Sequence, residues 1–352
     1  MKIVVLGGGL STERQVSLVT AMSVCKALRS AGHQAVFVDM FFGLEEFDGT
    51  PEEAFLAEDG FCGNLTVGTD APDLEAVKAS RKWKSPSRIG KGVLEICSLA
   101  DCVFLGLHGE DGEDGKIQAT LELLGIPYTG SDHVSSAMAM DKAITKTMMR
   151  SAGIPTAPWK EYDLTADNLR QIAGEQELPC VVKLVNGGSS IGVYICDDAE
   201  QLRAALKEAE RYHTKVIIEK KIAGRELTVP VLGDKALCAI EIIPPEGGTT
   251  FDYVAKYQSG EKGAREVCPA PITAEEQAML GELALRLHHT LGLSVYSRTD
   301  FILDENGRAW CLEVNTLPGM TPNSLIPKAA KREGLSYVQL CEKIVELSMK
   351  NV

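Results

Sequence analysis

The sequence predicts a mixed α/β protein of more than one domain, opening on a parallel α/β unit and continuing into antiparallel strands with helices. Three observations carry this. The 352 residues exceed one ordinary core, at roughly 100–200 residues per domain. The first segment reads strand, glycine turn, helix, strand, which begins a parallel sheet. From Pro179 onward the pattern changes to short strands separated by turns. Boundaries near 130 and 222 give segments 1–130, 131–221 and 222–352.

In chain order, Lys2–Leu6 is an apolar run that ends in Gly7-Gly8-Gly9. A helical pattern then runs to about Arg29, with Val16, Val24 and Leu28 on one face, and Thr12 and Gln15 at capping-box spacing. Gln34–Asp39 and Asp101–Leu107 read as two more buried strands. The stretch 45–92 reads as loops and short helices. Glu113–Leu124 and Val134–Ala152 read as helices ended by Gly-Ile-Pro. Met138, Met140, Met148 and Met149 read as core packing. Cys180–Val185, Val193–Cys196, Val216–Lys220, Leu227–Leu232 and Ala236–Ile243 read as antiparallel strands, with a helix at Ala199–Glu210 among them. A helix near Glu275–Leu291, a hairpin at Ser297–Asn315 and a helix from Ser336 complete the chain.

Composition excludes several classes. With 45% hydrophobic and 24% charged residues the chain is neither disordered nor fibrous. No apolar run approaches the ~18 residues of a membrane span, and no secretory signal is apparent. A net charge of -13 is a poor surface for nucleic acid or anionic lipid, so clustered basic residues serve a small anion better. The ten cysteines occur singly, as at Cys102, Cys180 and Cys238, without a CxxC pair. That usage fits reduced thiols and a cytoplasmic location.

Three segments carry chemistry. In the hairpin Arg298–Asn315, Asn306-Gly307 signals a two-residue type I′ turn. Glu305 then pairs with Arg308, which sets Asp300 opposite Glu313 and Arg298 opposite Asn315 on one face. Phe301, Leu303, Trp310, Leu312 and Val314 fall on the other, toward a core. Two facing carboxylates repel unless a cation lies between them, and the oxygen set of Asp, Glu and Asn suits Mg²⁺. A solvated polar face fits the same pattern, and a four-residue loop would break the pairing. The second segment, Lys183–Gly192, is a Lys-bearing strand entering a Gly/Ser loop. No helix follows its glycines, so it is neither a Walker A nor a Rossmann loop. It could still fold N–H groups and hydroxyls over a polyphosphate, with Lys142 and Lys183 as clamps. An ordinary glycine hairpin fits too. The third is Gly7–Glu13, a strand-to-helix turn able to bind an anion. His108 follows a buried strand and opens the acidic glycine loop Glu110–Gly115.

Taken together, these segments resemble the D-alanine–D-alanine ligase family of the ATP-grasp superfamily. The resemblance spans essentially the whole chain. It rests on Gly8–Ser17, Leu107–Gly115, Met140-Asp-Lys142, Gly188-Ser-Ser-Ile-Gly192, Asp252-Tyr-Val-Ala-Lys-Tyr257 and Glu313–Leu325, in the family's order. It implies a three-domain ATP-grasp fold, with an N-terminal parallel α/β domain and two α+β domains sandwiching ATP. Lys142 and Lys183 would contact the phosphates, under a loop carrying Ser189 and Ser190. Glu219, Lys221 and Ile222 would frame adenine, and Glu226 would hold the ribose. Asp300, Glu313 and Asn315 would bind two Mg²⁺, or Mn²⁺. Glu13, Ser189 and Tyr257 would form a triad closing the site. Glu13 would also receive the ammonium of the first D-alanine near His108. Arg298 and the Gly319 N–H would stabilise the oxyanion. Ser324 and the Leu325 N–H would hold the second carboxylate, with Lys256 near the transferred phosphate.

The implied activity is ATP-dependent joining of two D-alanines through a D-alanyl phosphate, for peptidoglycan precursors, by a cytoplasmic homodimer. Leu184 and Asn323 depart from residues common in the family, and the resemblance is thinnest over 45–92. The near alternatives are D-Ala–D-Ser and D-Ala–D-lactate ligases, of which Tyr257 argues against the lactate type. A nucleotide-binding protein without catalysis is opposed by the filled set of charged positions.

Overall fold

The computed structural model describes residues 1–63, 72–187, 192–212, 215–245 and 264–350. The chain opens on three parallel strands, β1 (Lys2–Gly7), β2 (Gln34–Asp39) and β3 (Cys102–Leu105), in the order β2-β1-β3. Ile3, Val4, Val5 and Leu6 are all fully buried, as a parallel strand covered on both faces requires. Helix α1 (Arg14–Ser30) packs Val16, Val24 and Leu28 inward as their spacing predicts. The expected capping box of Thr12 and Gln15 does not form. The turn is tied one residue earlier: Glu13 N–H donates to Ser11 Oγ at 3.2 Å, and Arg14 N–H to the Ser11 carbonyl. Glu13 itself becomes the N-cap residue.

Among the described residues between β2 and β3 are a short 3₁₀ turn, Glu53–Leu56, and helices α2 (Leu74–Ser80) and α3 (Val93–Ser98). Helix α4 (Lys116–Leu123) starts three residues later than expected, which leaves Glu113 in the turn before it. The single helix expected over Val134–Ala152 is two, α5 (His133–Met140) and α6 (Lys142–Ser151). Asp141 separates them in an extended conformation, and its carboxylate caps the Ile144 N–H at 2.9 Å. This break turns Lys142 toward Val185, whose carbonyl accepts the Lys142 N–H at 3.1 Å.

The second sheet is antiparallel. It contains β4 (Trp159–Asp163), β5 (Cys180–Leu184), β6 (Val193–Cys196) and β7 (Lys215–Lys220), in the order β4-β7-β5-β6. Helices α7 (Leu169–Glu175) and α8 (Ala199–Tyr212) close its core. The third sheet contains β8 (Arg225–Leu232), β9 (Lys235–Ala236), β10 (Ile240–Ile243), β11 (Arg265–Val267), β12 (Tyr296–Leu303) and β13 (Ala309–Asn315). Its order is β11-β10-β8-β12-β13, with β9 beside β8. The one strand expected over Ala236–Ile243 is split because Leu237 N–H turns to the Pro230 carbonyl, while Ala239 pairs with Ala270. Helix α9 (Ala274–Thr290) starts at a Thr273–Glu276 capping box and packs on this sheet. Helices α10 (Leu325–Arg332) and α11 (Tyr337–Met349) return to the first sheet, where Leu340, Ile344 and Val345 share a core with Val4 and Val24. Among the described residues no helix is long and apolar enough to cross a membrane.

The β12–β13 hairpin corrects the expected turn and keeps the expected pairing. Asp304 N–H bonds the Arg308 carbonyl at 3.0 Å, so the loop is the three residues Glu305, Asn306 and Gly307, with Gly307 at φ 75°. Near the turn, Phe301 pairs with Cys311 and Leu303 with Ala309, one residue off the predicted register. A β-bulge then inserts Leu312, and beyond it Asp300 faces Glu313 and Arg298 faces Asn315 as predicted. The extra loop residue and the extra strand residue cancel. The faces change in consequence. Ala309, Cys311 and Val314 enter the core with Phe301 and Leu303, whereas Leu312 and Trp310 do not. Trp310 instead donates to Asp304 Oδ2 at 2.8 Å under the Arg308 guanidinium.

Only glycine holds this left-handed turn without strain. Gly307→Ala, with open space around the added methyl, is expected to cost about 1 kcal/mol. The check is the midpoint of denaturant unfolding, and an unchanged midpoint contradicts the turn.

Candidate active site

A cavity of about 460 Å³ lies between the second and third sheets. Lys142, Lys183, Glu219, Lys221, Ile222, Glu226, Asp300 and Glu313 all line it, with Val181, Leu184, Ile195, Ile243 and Leu312 as apolar walls. Residues from eight elements, α6, β5, β6, β7, β8, β10, β12 and β13, thus meet around one space. Leu312 reaches it because a bulge puts two successive side chains on one face.

The most buried charges sit at one end. Glu219 Oε1 lies 2.6 Å from Lys183 Nζ, and Oε2 lies 2.7 Å from Lys146 Nζ. All three side chains are less than a tenth exposed. Burial opposes the Glu219 charge, but the two lysines outweigh it and hold the carboxyl below its ordinary range. Burial also opposes the Lys183 charge, and Glu219, Glu313 and Glu226 outweigh it, so its pKa is raised. For Lys146 burial and the Lys183 charge prevail over Glu219, and its pKa is lowered. Lys146 also donates to Thr156 Oγ1 at 2.5 Å, and Thr156 donates to the Cys311 carbonyl at 2.8 Å. This chain of contacts ties α6 and β7 to β13.

The predicted carboxylate face is present. Asp300 accepts both arms of the Arg298 fork, from Nε at 3.0 Å and Nη2 at 2.9 Å. Thr228 Oγ1 donates to Asp300 Oδ1 at 2.5 Å, and Asn315 Nδ2 to Oδ2 at 3.2 Å. Across the ladder, Glu313 Oε2 is 3.6 Å from Lys142 Nζ. The cations demanded by two facing carboxylates are therefore Arg298 and Lys142. The donor chemistry fits a hard cation: two carboxylates and an amide oxygen share one face, with no thiol or imidazole among them. Among the described residues, Glu110, Asp111 and Asp114 are the one group of three acids close enough to share an ion. Arg88 and Lys116 already pair with them.

The Arg298 charge also reaches a second buried cluster. His108 donates Nδ1–H to the Leu317 carbonyl at 2.8 Å, since a carbonyl can only accept. Its Nε2, 3.0 Å from Thr20 Oγ1, is then the acceptor of the neutral ring. Burial, reinforced by Arg298, lowers the His108 pKa. Glu113 accepts the Gly109 N–H at 2.7 Å and the Leu317 N–H at 3.3 Å. Both backbone groups of Leu317 are thus gripped by the loop after β3, from 200 residues away in sequence. Glu13, the N-cap of α1, lies against the same loop: a Cβ on Gly109 would come within 2.9 Å of its Oε2. Burial and the Glu13 charge push Glu113 up to about 8. Two residues beyond Leu317, Gly319 approaches the Ser324 hydroxyl. Ser324 receives the Thr321 N–H at 3.1 Å and ends at the N-terminus of α10, where the Leu325 N–H begins the helix.

Two family models match this chain, one for the D-alanine–D-alanine ligase N-terminus over residues 2–131 and one for its C-terminus over 148–346. The chain belongs to the D-alanine–D-alanine ligase family. The D-alanine–D-alanine ligase of Pediococcus pentosaceus is 39% identical over 345 residues, 98% of this chain and 97% of that one. The ligase of Methylacidiphilum infernorum is 39% identical over 346 residues, 98% and 95% of the two chains. A crystal structure of the Bacillus anthracis ligase complexed with ATP matches with a TM-score of 0.70 at 29% identity, covering 99% of this chain and 97% of that one.

Within the family frame, the structure gathers Lys142, Lys183, Glu219, Lys221, Ile222, Glu226, Asp300 and Glu313 at the cavity, with Asn315 on Asp300. Glu13, His108, Arg298, Gly319, Ser324 and Leu325 belong to the adjoining cluster. Ser189, Ser190, Lys256 and Tyr257 lie outside the described residues. Sequence reasoning missed Lys146 and Glu113. Lys146 was visible only as a second lysine one helical turn after Lys142. Glu113 was hidden inside a helix whose start was placed too early.

Lys146→Met is expected to lower stability by on the order of 3 kcal/mol, because Glu219 keeps one cation in place of two. Glu219→Gln should cost at least as much, since it strands two buried lysines. Denaturant unfolding of both variants checks the order. Glu113 supplies a pH signature. Its folded pKa is above that of the unfolded chain, so it costs nothing below about 4.5 and its full penalty applies above about 8. Wild-type stability should fall relative to Glu113→Gln as pH rises between those values. Parallel melting curves from pH 5 to 8.5 test this, and identical slopes would rule it out.

Proposed function

We propose that the chain joins two D-alanines into D-alanyl-D-alanine, with ATP converted to ADP and phosphate. The observation that carries the reading is the cavity rimmed by Lys142, Lys183, Asp300 and Glu313, together with Arg298, which forks Asp300 and whose charge is felt at His108 and Glu113 beside Leu317. Nucleotide and amino acids thus have adjacent places.

Glu13 takes the ammonium of the first D-alanine and leaves its carboxylate facing the ATP γ-phosphate. A carboxylate is a poor acyl donor, so its oxygen attacks that phosphorus and ADP leaves. Lys142 and Lys183 offset the charge of two anions meeting. Asp300, Glu313 and Asn315 would hold two Mg²⁺ ions, or Mn²⁺, which would further neutralise the phosphates. Asp300 must then give up part of its Arg298 fork. The amine of the second D-alanine, its carboxylate held at Ser324 and the Leu325 N–H, attacks the acyl phosphate. Arg298 and the Gly319 N–H receive the developing oxyanion, and phosphate leaves. Glu219, Lys221, Ile222 and Glu226 hold the nucleoside. Lys256, Tyr257, Ser189 and Ser190 enter by resemblance as the cover that excludes water. Domains of 1–130, 131–221 and 222–352, a homodimer, a cytoplasmic location and service to peptidoglycan synthesis complete the reading.

The experiment is phosphate release from ATP with D-alanine, D-serine and D-lactate, singly and paired, with mass spectrometry of products. D-alanyl-D-alanine should dominate. Release without dipeptide, or a depsipeptide as main product near neutral pH, overturns the reading. Arg298→Lys loses the bidentate fork and should lower kcat about 100-fold or more while KM for ATP changes little. A loss confined to KM would remove Arg298 from the transition state.

A further inference from the structure

Away from the active site, two partly buried cysteines bring their sulfurs together. Cys238 lies in the link between β9 and β10, Cys268 lies directly after β11, and their Sγ atoms are 3.8 Å apart. The antiparallel pairing of β10 with β11, extended by the Ala270 N–H to the Ala239 carbonyl, creates this proximity. Cys268 also lines a cavity of about 450 Å³ whose other walls are Glu266, Lys328, Lys331 and Arg332. Three cations face one carboxylate there, and Glu266 is paired with Lys328. An accessible thiol, a partner thiol in contact and a net positive pocket are the parts of a thiol–disulfide exchange site.

We propose that Cys268 and Cys238 form a reactive dithiol, oxidised to a disulfide by anionic low-molecular-weight disulfides that enter the basic pocket. Electrostatics assign the roles. The hydrogen bond from the Cys238 thiol, with the Arg332 and Lys328 charges, lowers Cys268 to about 7, and the same hydrogen bond raises Cys238. Cys268 is therefore the attacking thiolate and Cys238 the resolving thiol. The thiolate attacks one sulfur of the incoming disulfide, forms a mixed disulfide and expels one thiolate, which takes up a proton. Cys238 loses its proton to solvent and attacks the Cys268 sulfur, expelling the second thiolate. The two protein thiols give up two electrons, and the reagent's S–S bond takes them up as two thiols. Side-chain rotation must bring the sulfurs to about 2.05 Å. Cys180 and Cys196 offer an internal comparison, since they stand directly opposite across β5 and β6 but are buried. The proposal does not depend on the ligase reading.

The test exposes fully reduced protein to oxidised glutathione, an anionic disulfide, or to cystamine, a cationic one, and maps disulfides by mass spectrometry without reduction. The Cys238–Cys268 link should form roughly tenfold or more faster with glutathione at low ionic strength, and added salt should narrow the gap. Cys238→Ser should accumulate glutathione on Cys268, and Cys268→Ser should give neither product. Arg332→Gln should slow the glutathione arm and raise the pH midpoint of Cys268 alkylation. Equal rates with the two reagents, a Cys180–Cys196 link forming as fast, or no link in folded wild-type protein would each overturn the proposal.

Discussion

Asp300 lies on an inner strand of the third sheet with both oxygens in the Arg298 fork, and the arrangement around it follows from keeping that charge satisfied. β12 is flanked by β8 on one side and β13 on the other, so Asp300 is fixed from both directions by Thr228 and Asn315. A half-buried carboxylate opposite a second one is tolerated only because a guanidinium and Lys142 stand beside them. That pairing makes the third sheet a platform for charge. It also leaves the guanidinium near the loop of His108 and Glu113, where its field is felt at both.

The same economy governs the rest of the site. Glu219 is almost wholly removed from water and takes one lysine on each oxygen. Lys146 in turn is fixed by Thr156, whose own hydroxyl reaches back to β13. On the far side, Leu317 is held by both its backbone groups. Most of these contacts join segments distant in sequence, so the two halves of the site are located relative to one another by buried polar bonds as well as by apolar packing. Such networks are rigid when complete and costly when one member is lost.

Several features were legible in the residues. The buried first strand follows from its continuous apolar run, and the antiparallel run after Pro179 and the hairpin carrying Asp300 and Glu313 follow from strand periodicity and from turn residues. The hairpin is instructive because its pairing emerged correctly through two compensating departures. Asn306-Gly307 suggested a two-residue loop, the chain built three, and the Leu312 bulge restored the register. Periodicity alone could not reveal this, since a bulge changes which side chains share a face without changing composition. Trp310 and Leu312 were accordingly assigned to the core and lie outside it.

The sequence by itself determined the order of the elements, the family and most of the charged positions, because these depend on local pattern and on motifs of several residues. Tertiary structure alone decided which charges meet. Nothing in the spacing of Lys146, Lys183 and Glu219 says that one carboxylate takes both ammonium groups, nor that Glu113 and His108 grip a residue some 200 positions away. The physical reason is that buried charges are paired by whichever segments the fold brings together, and chain closure over such distances is set by the packing of whole sheets.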